Sequence, residues 1–203
     1  DAPRIPAVGV WMDEVRPGVR GRLSDNLYRP CTLVDGSGFY PGARVRASKA
    51  FQLKRGNKRG LIIKFARGFG MRLFRDDVQE EEALLHAMIG DVTYLREYVA
   101  QTLFSAAGVP AATGYHVRTY LNGGDYGLHY LMERVNEDFV EKHGLPQPGG
   151  IIKPEDAKGL DPRKCVVQWE SSGVKTMDAL ARLFRAMTPL PRRNPTTLSN
   201  RQT

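Results

Sequence analysis

Hydrophobic positions along this chain change period several times, and each change marks an element. Ala43-Arg44-Val45-Arg46-Ala47 alternates apolar and polar residues, and Phe51 and Leu53 continue the apolar line. Arg55-Gly56-Asn57-Lys58 has turn chemistry, because Gly and Asn tolerate positive φ. The β-branched run Leu61-Ile62-Ile63-Lys64-Phe65 follows, so a hairpin is expected from about 43 to 66. Met71 to Phe74 adds a short strand. Gln79 to Ile89 is rich in helix formers (Glu80, Glu81, Ala83, Leu84, Leu85, Ala87, Met88) and predicts a helix, with Gly90 as its left-handed cap.

The clearest pattern runs from Asp91 to Pro110. Asp91 can cap a helix start, and Gly108-Val109-Pro110 ends it. Val92, Leu95, Val99, Leu103 and Ala106 fall on one stripe, while Glu97, Ala100 and Phe104 line a second. A helix apolar on two sides is expected to be buried, which would leave Glu97 in need of a partner. Tyr115–Leu121 and Tyr126–Met132 read as strands joined by Asn122-Gly123-Gly124-Asp125, a strong hairpin signal. Asn136 to His143 predicts a short helix docked by Phe139 and Val140, Ile151 to Pro154 a short strand, and Thr176 to Met187 an amphipathic helix. Residues 1 to 41 read as an extended lead-in with one short strand near Val8 to Met12. Residues 189 to 203 are Pro, Arg, Asn, Thr and Ser, a composition that favours disorder.

The 203 residues suffice for one large domain or two small ones, and the 41% hydrophobic content is that of a globular chain. No window approaches the ~18 apolar residues of a membrane span. The chain opens on Asp1 with no apolar signal core, as after leader removal or trimming. Cys31 and Cys165 are too few for a disulfide framework; they can pair once or remain thiols. The formal net charge of +8 is concentrated in residues 42 to 75, which hold eleven Lys and Arg and no acid. Asp76-Asp77 and Glu80-Glu81-Glu82 follow directly. A polyanion such as nucleic acid would tolerate this patterning, but two solvated faces explain it more simply.

Motifs for familiar chemistries are missing: there is no GxSxG elbow, Walker A loop or dinucleotide GxGxxG. The four histidines are scattered. Glu82 and His86 would share a helix face at four-residue spacing, too few ligands for a metal site, and His116 and His129 can face each other across the hairpin. What remains is phosphate-compatible: Lys54, Arg55, Lys58, Arg59 and Lys64 near a hairpin, followed by a helix bearing Glu97. A strand Lys held by a helix Glu is how protein kinases grip nucleotide phosphates. The plainer alternative is a surface Lys and a structural Glu.

Five segments in order resemble the spore-coat CotH kinase family over residues 42 to 161. Arg55-Gly56-Asn57, Lys58-Arg59 and Leu61–Phe65 resemble its RGN…KK…KF signature, and DVTYLREYVA (91–100) its D-P-S/T-x-LRE-x-x-A helix start. LFSAAGVP (103–110) resembles the helix end, Val117–Gly127 the R-x-YLNG-x-YxG hairpin, and Glu133-Arg134-Val135 with Asp138-Phe139 the ER(I/V)D-x-x-F motif. Gly150–Lys153 and Leu160-Asp161 echo its later segments.

The resemblance implies an α+β, atypical protein-kinase-like fold: an N-lobe-like antiparallel sheet with a buried helix, the C-terminal lobe incomplete, in a domain spanning 42 to 188. It implies an ATP-binding protein kinase with Mg2+ that phosphorylates Ser or Thr of a protein substrate, or a truncated member of that family, at the spore coat, cell surface or outside the cell. Lys64 would grip phosphates, with Lys54 on the paired strand as its rival, Glu97 would hold that lysine, and Met132 and Glu133 would begin the hinge beside adenine. The family's metal-binding and base carboxylates lie in a W-x-W-D-x-D type segment. Here Trp169 and Asp178 stand without that motif, so catalytic residues stay unassigned. The alternative is a non-catalytic, pseudokinase-like coat or surface component that uses the fold as an interaction module.

Overall fold

A computed structural model describes residues 5–12, 23, 26–48, 58–71, 80–154 and 164–187. Within the first of two compact units, residues 1–144, seven strands form one closed barrel. They are β1 (Ala7–Trp11), β2 (Arg29–Asp35), β3 (Gly38–Ala47), β4 (Leu61–Lys64), β5 (Glu82–His86), β6 (Gly114–Leu121) and β7 (Gly124–Glu133). The order around the barrel is β1-β2-β3-β4-β5-β7-β6. Neighbours are antiparallel except at the seam, where β1 runs parallel to β6 and Val8 lies opposite Thr119.

Alternation aims the apolar set inward: Val8 and Val10 from β1, Leu33 from β2, Ala43, Val45 and Ala47 from β3, Leu61 and Ile63 from β4, Ala83 and Leu85 from β5. Three of these are alanines, which leave room for the larger side chains in a narrow interior. Each fully buried Leu or Ile contributes about 1.5–3 kcal/mol relative to exposure. The β6–β7 turn needs left-handed backbone at both central residues, and Asn122 (φ 49°) and Gly123 (φ 78°) provide it. Helix α1 (Arg96–Ala106) follows β5, and α2 (Glu137–Lys142) follows β7. α2 starts at Asn136, whose side chain accepts the Phe139 N–H at 3.3 Å, and it buries Phe139 and Val140.

The second unit, residues 145–203, contains an antiparallel pair, β8 (Gly150–Pro154) with β9 (Cys165–Glu170), and helix α3 (Thr176–Met187). Ser171 closes the hairpin base by donating its N–H to Gly149 O and accepting the Gly149 N–H on its hydroxyl. Glu170 accepts the Thr176 N–H at the start of α3.

The architecture is mixed α and β, dominated by strands, and the 43–66 hairpin is present as β3 paired with β4. The 122–125 hairpin, the 136–143 helix and the 176–187 helix also stand where the patterning places them. Three expectations are corrected. The segment expected as a helix over 79–89 is strand β5, because its backbone is paired on both edges and Ala83 and Leu85 fill the core. Tertiary pairing here overrides helix propensity. The sheet is a closed barrel with a parallel seam, to which the 1–41 lead-in supplies β1, β2 and the start of β3. Helix α1 buries none of its residues: Val99 and Leu103 are about half exposed or more, at 47% and 64%, as is Leu95 at its N-cap, at 51%. The stretch 72–74 and the tail from 189 lie outside the described residues.

Gly114 tests the β6–β7 packing. A Cβ there would stand 2.6 Å from the Tyr130 ring and 2.7 Å from the Leu131 carbonyl oxygen, and the backbone cannot yield. Gly114→Ala is expected to cost roughly 1–3 kcal/mol in urea unfolding, the range for overpacking; an unchanged midpoint would contradict this packing.

Candidate functional site

The connection from β5 to α1 is held by Asp91. Its Oδ1 accepts the Thr93 hydroxyl at 2.6 Å and the Thr93 N–H at 3.0 Å, and its Oδ2 accepts the Arg96 N–H at 2.8 Å. Thr93 Oγ1 in turn accepts the Leu95 N–H. Asp91 thus satisfies the first helical amide from five residues upstream, while Leu95 occupies the N-cap position without a side-chain cap. The Thr93 hydroxyl, then the backbone amides and the Arg96 charge, lower the Asp91 carboxyl to about 2, so it is ionised at any physiological pH.

This connection walls a cavity of about 350 Å3 lined mainly by Ser48, Gly60, His86, Asp91, Arg96 and Glu97, with Ala87 to Gly90 along one side. Glu97 accepts the Gln101 side-chain amide at 2.8 Å and lies 3.9 Å from His86 Nδ1. Lys58 donates to the Leu128 carbonyl and sits 4.8 Å from the Tyr94 ring centroid. Burial lowers its ammonium to about 8. His116 contacts the Tyr94 carbonyl at 2.6 Å and meets Tyr130 edge-on. The cross-strand partner of His129 is Val117, so the two histidines do not face each other. His129 is buried at 0% exposure, and burial, reinforced by the Lys58 charge, lowers it to about 4 and keeps it neutral.

Lys64 is elsewhere. On β4 it pairs with Glu82 of β5, its Nζ 3.4 Å from Glu82 Oε1, and Arg134 Nε reaches Glu82 Oε2 at 3.3 Å. With Gly42, Arg44, Arg67 and Glu81 it lines a second, polar cavity of about 590 Å3. The expected Lys64–Glu97 pair is not formed. Glu97 meets His86, and His86 stands four residues from Glu82 along β5, ~13 Å at strand rise. The other candidate lysine, Lys54, lies outside the described residues.

Met132 and Glu133 end β7, paired with Leu84 and Ala83 of β5. The Glu133 N–H donates to Thr113 O, and its carboxylate is fully enclosed. Oε1 accepts the Thr113 N–H at 2.7 Å and lies 3.3 Å from His143 Nε2; Oε2 accepts Lys142 Nζ at 3.0 Å. Lys142 also donates to Glu80 at 2.6 Å. Burial raises the Glu80 carboxyl against the pull of Lys142. Burial alone would lower Lys142, but bonds to Glu80 and Glu133 carry it above its ordinary value. Glu133 therefore ties α2 to the barrel, and its amide and carboxylate are both engaged where a hinge would present them to adenine.

The family model described as "CotH kinase protein" matches residues 40–180. The chain belongs to the CotH kinase family. A comparison with curated proteins finds no match.

The CotH signature segment DVTYLRE is thus the wall of the smaller cavity, through Asp91, Arg96 and Glu97. Ser48, Gly60 and His86 were not legible as its companions. Glu82 and His86 are indeed on one face, but a strand holds them at opposite ends of that face rather than one helical turn apart. No group of three or more His, Cys, Asp or Glu side chains that could hold a metal occurs among the described residues. Both Asp91 oxygens are engaged, as is Glu97. This donor set does not fit a Mg2+ site. Trp169 stands in β9 and Asp178 in the first turn of α3.

Lys142 balances two enclosed carboxylates, so its loss leaves buried charge uncompensated. Lys142→Met is expected to destabilise by about 3–5 kcal/mol in chemical denaturation, and Glu80→Gln added to it should recover part of that loss. Full stability of the single variant would show the cluster to be solvated.

Proposed function

We propose that this CotH-family chain binds ATP in the cavity walled by Asp91, Arg96 and Glu97, as the nucleotide-side part of a protein kinase acting on Ser or Thr of a protein at the spore coat or cell surface. The observation that carries the reading is the convergence of the family signature on one concave site of ligand size. Ala87, Met88 and Ile89 give it an apolar side suited to a base, and Arg96 offers a planar donor fork for phosphate oxygens at the mouth. The N-terminal end of α1 adds a favourable dipole for an anion. Lys64, on the other cavity with Arg44 and Arg67, has no part in this grip. Transfer itself needs acids that the described residues do not group. No helix among the described residues is long and apolar enough to cross a membrane.

One observation favours a second reading, the interaction module. Beyond Arg96 and Glu97, α1 has no charged side chain, and Val99, Leu103 and Phe104 are exposed on it. An apolar face of this kind suits an assembly protein that docks by burial rather than by charge, and a second copy of this chain is the occupant that already carries the matching surface.

For the first reading, calorimetric titration should show ATP binding tighter than adenosine. Arg96→Ala should weaken it about tenfold, the loss of one charge-assisted phosphate contact, and Lys64→Ala should leave it within about twofold. No heat with ATP would sink the reading. For the second, sedimentation of the purified chain should show association that persists in high salt and is lost in Leu103→Asp; a monomer at every concentration removes it.

A further inference from the structure

The strand that leads into α1 delivers a histidine to Glu97, where the kinase grip on phosphates uses a lysine. β5 ends at His86, five residues before Asp91, and His86 is on the outer face of the barrel and lines the cavity. Its Nδ1 lies 3.9 Å from Glu97 Oε2, and its side chain is 37% exposed, so a ligand in the cavity can reach it. Gln101 fixes the other Glu97 oxygen, which holds the carboxylate toward His86.

We propose that His86, oriented by Glu97, is the phosphate-facing cation of this cavity, so that nucleotide binding strengthens as the imidazole takes up a proton. This rests on the nucleotide reading above and adds to it the identity of the cation and a pH dependence. An imidazole is the side chain whose ordinary titration falls between pH 5 and 8. A lysine in its place would be charged throughout that range.

The other charged and titratable groups around His86 do not supply the same response. Arg96 and Glu97 reach the cavity from α1, and Asp91 in the connection, lowered to about 2, keeps its charge across the range. Tyr130, the β7 residue opposite His86, is raised by burial to about 12. His129 is held neutral well below the range, with His86 among the charges acting on it. Lys58 is lowered to about 8, but its ammonium is engaged with Leu128 and the Tyr94 ring. His116, beyond Tyr130 on β6, is taken up by the Tyr94 carbonyl.

The experiment is calorimetric titration with ATP from pH 5.5 to 8.5 on wild type, His86→Lys and His86→Ala. Wild type is expected to bind about tenfold tighter at the acid end, the worth of one charged contact. His86→Lys should hold the tight affinity up to pH 8.5, and His86→Ala should be weak throughout, its residual slope reporting the titration of ATP itself. A wild-type profile no steeper than that of His86→Ala overturns the proposal, as does a weak His86→Lys at pH 8.5. ATP bound with a flat profile sinks only the role of His86, whereas no binding by any variant at any pH sinks the nucleotide reading with it. The imidazole resonances of His86 in folded wild type give an independent readout: ATP should move their titration midpoint upward, and an unmoved midpoint in the presence of bound ATP counts against the proposal.

Discussion

Closure of the barrel is the constraint on which the rest of this unit depends. The first strand must find the sixth, more than a hundred positions away in the sequence, and run parallel to it. Backbone bonds stitch this seam: the Arg118 N–H donates to Pro6 O and the Asn122 N–H to Val10 O. The Asn122 side chain then accepts the Met12 N–H at 2.7 Å in a buried position. One residue therefore forms the left-handed hairpin turn and anchors the end of the seam. Without that seam, β1 and β6 would be open edges and Val8 and Val10 would lose their enclosure.

Closure also decides where charge can go. With the interior filled by apolar side chains, the charged positions of β3, β4 and β5 must face outward. On that outer face β5 carries Glu82 at one end and His86 at the other. Glu82 collects Lys64 and Arg134, and His86 collects Glu97. Two separate electrostatic sites arise from one short strand, because strand rise spreads four residues over ~13 Å where a helix would span ~6 Å. The charges at the end of β7 obey a different rule: Glu133 is enclosed, and Lys142, His143 and the Thr113 amide satisfy it.

Elements whose signal is local were legible from sequence. Asn122-Gly123 specifies its turn through φ alone, Asn136 caps α2, and the alternating run 43–47 makes a strand. The barrel was not legible, because a parallel seam between distant strands leaves no local trace and Val8–Met12 looks like any short strand. β5 reads as a helix for a related reason. Glu, Ala and Leu favour helix, and only the β4 and β7 edges on either side make strand the lower-energy choice. The difference moves the site: a helical Glu82–His86 would be a single locus, whereas the strand leaves Lys64 with Glu82 and gives Glu97 to His86. Three residues of the family signature, Asp91, Arg96 and Glu97, nonetheless wall one cavity.

The two stripes of α1 have a different meaning once the barrel is in place. Apolar patterning on two sides points to burial, yet the helix buries none of its residues and approaches the barrel at its first turns, where Tyr98 lies near His116 and Glu97 acts on Tyr130. Its charged residues, Arg96 and Glu97, are both in that first turn, and its exposed apolar residues Val99, Leu103 and Phe104 come after them. Charge and apolar surface are therefore separated along the axis rather than around it. A ligand at the N-terminal cavity and a protein on the later turns would contact different side chains of the same rigid rod. Because helix formation is cooperative, the Asp91 bond to the Arg96 amide fixes the first turn from which the rest of this eleven-residue helix propagates, so one side chain at the cavity wall also supports the later, apolar turns.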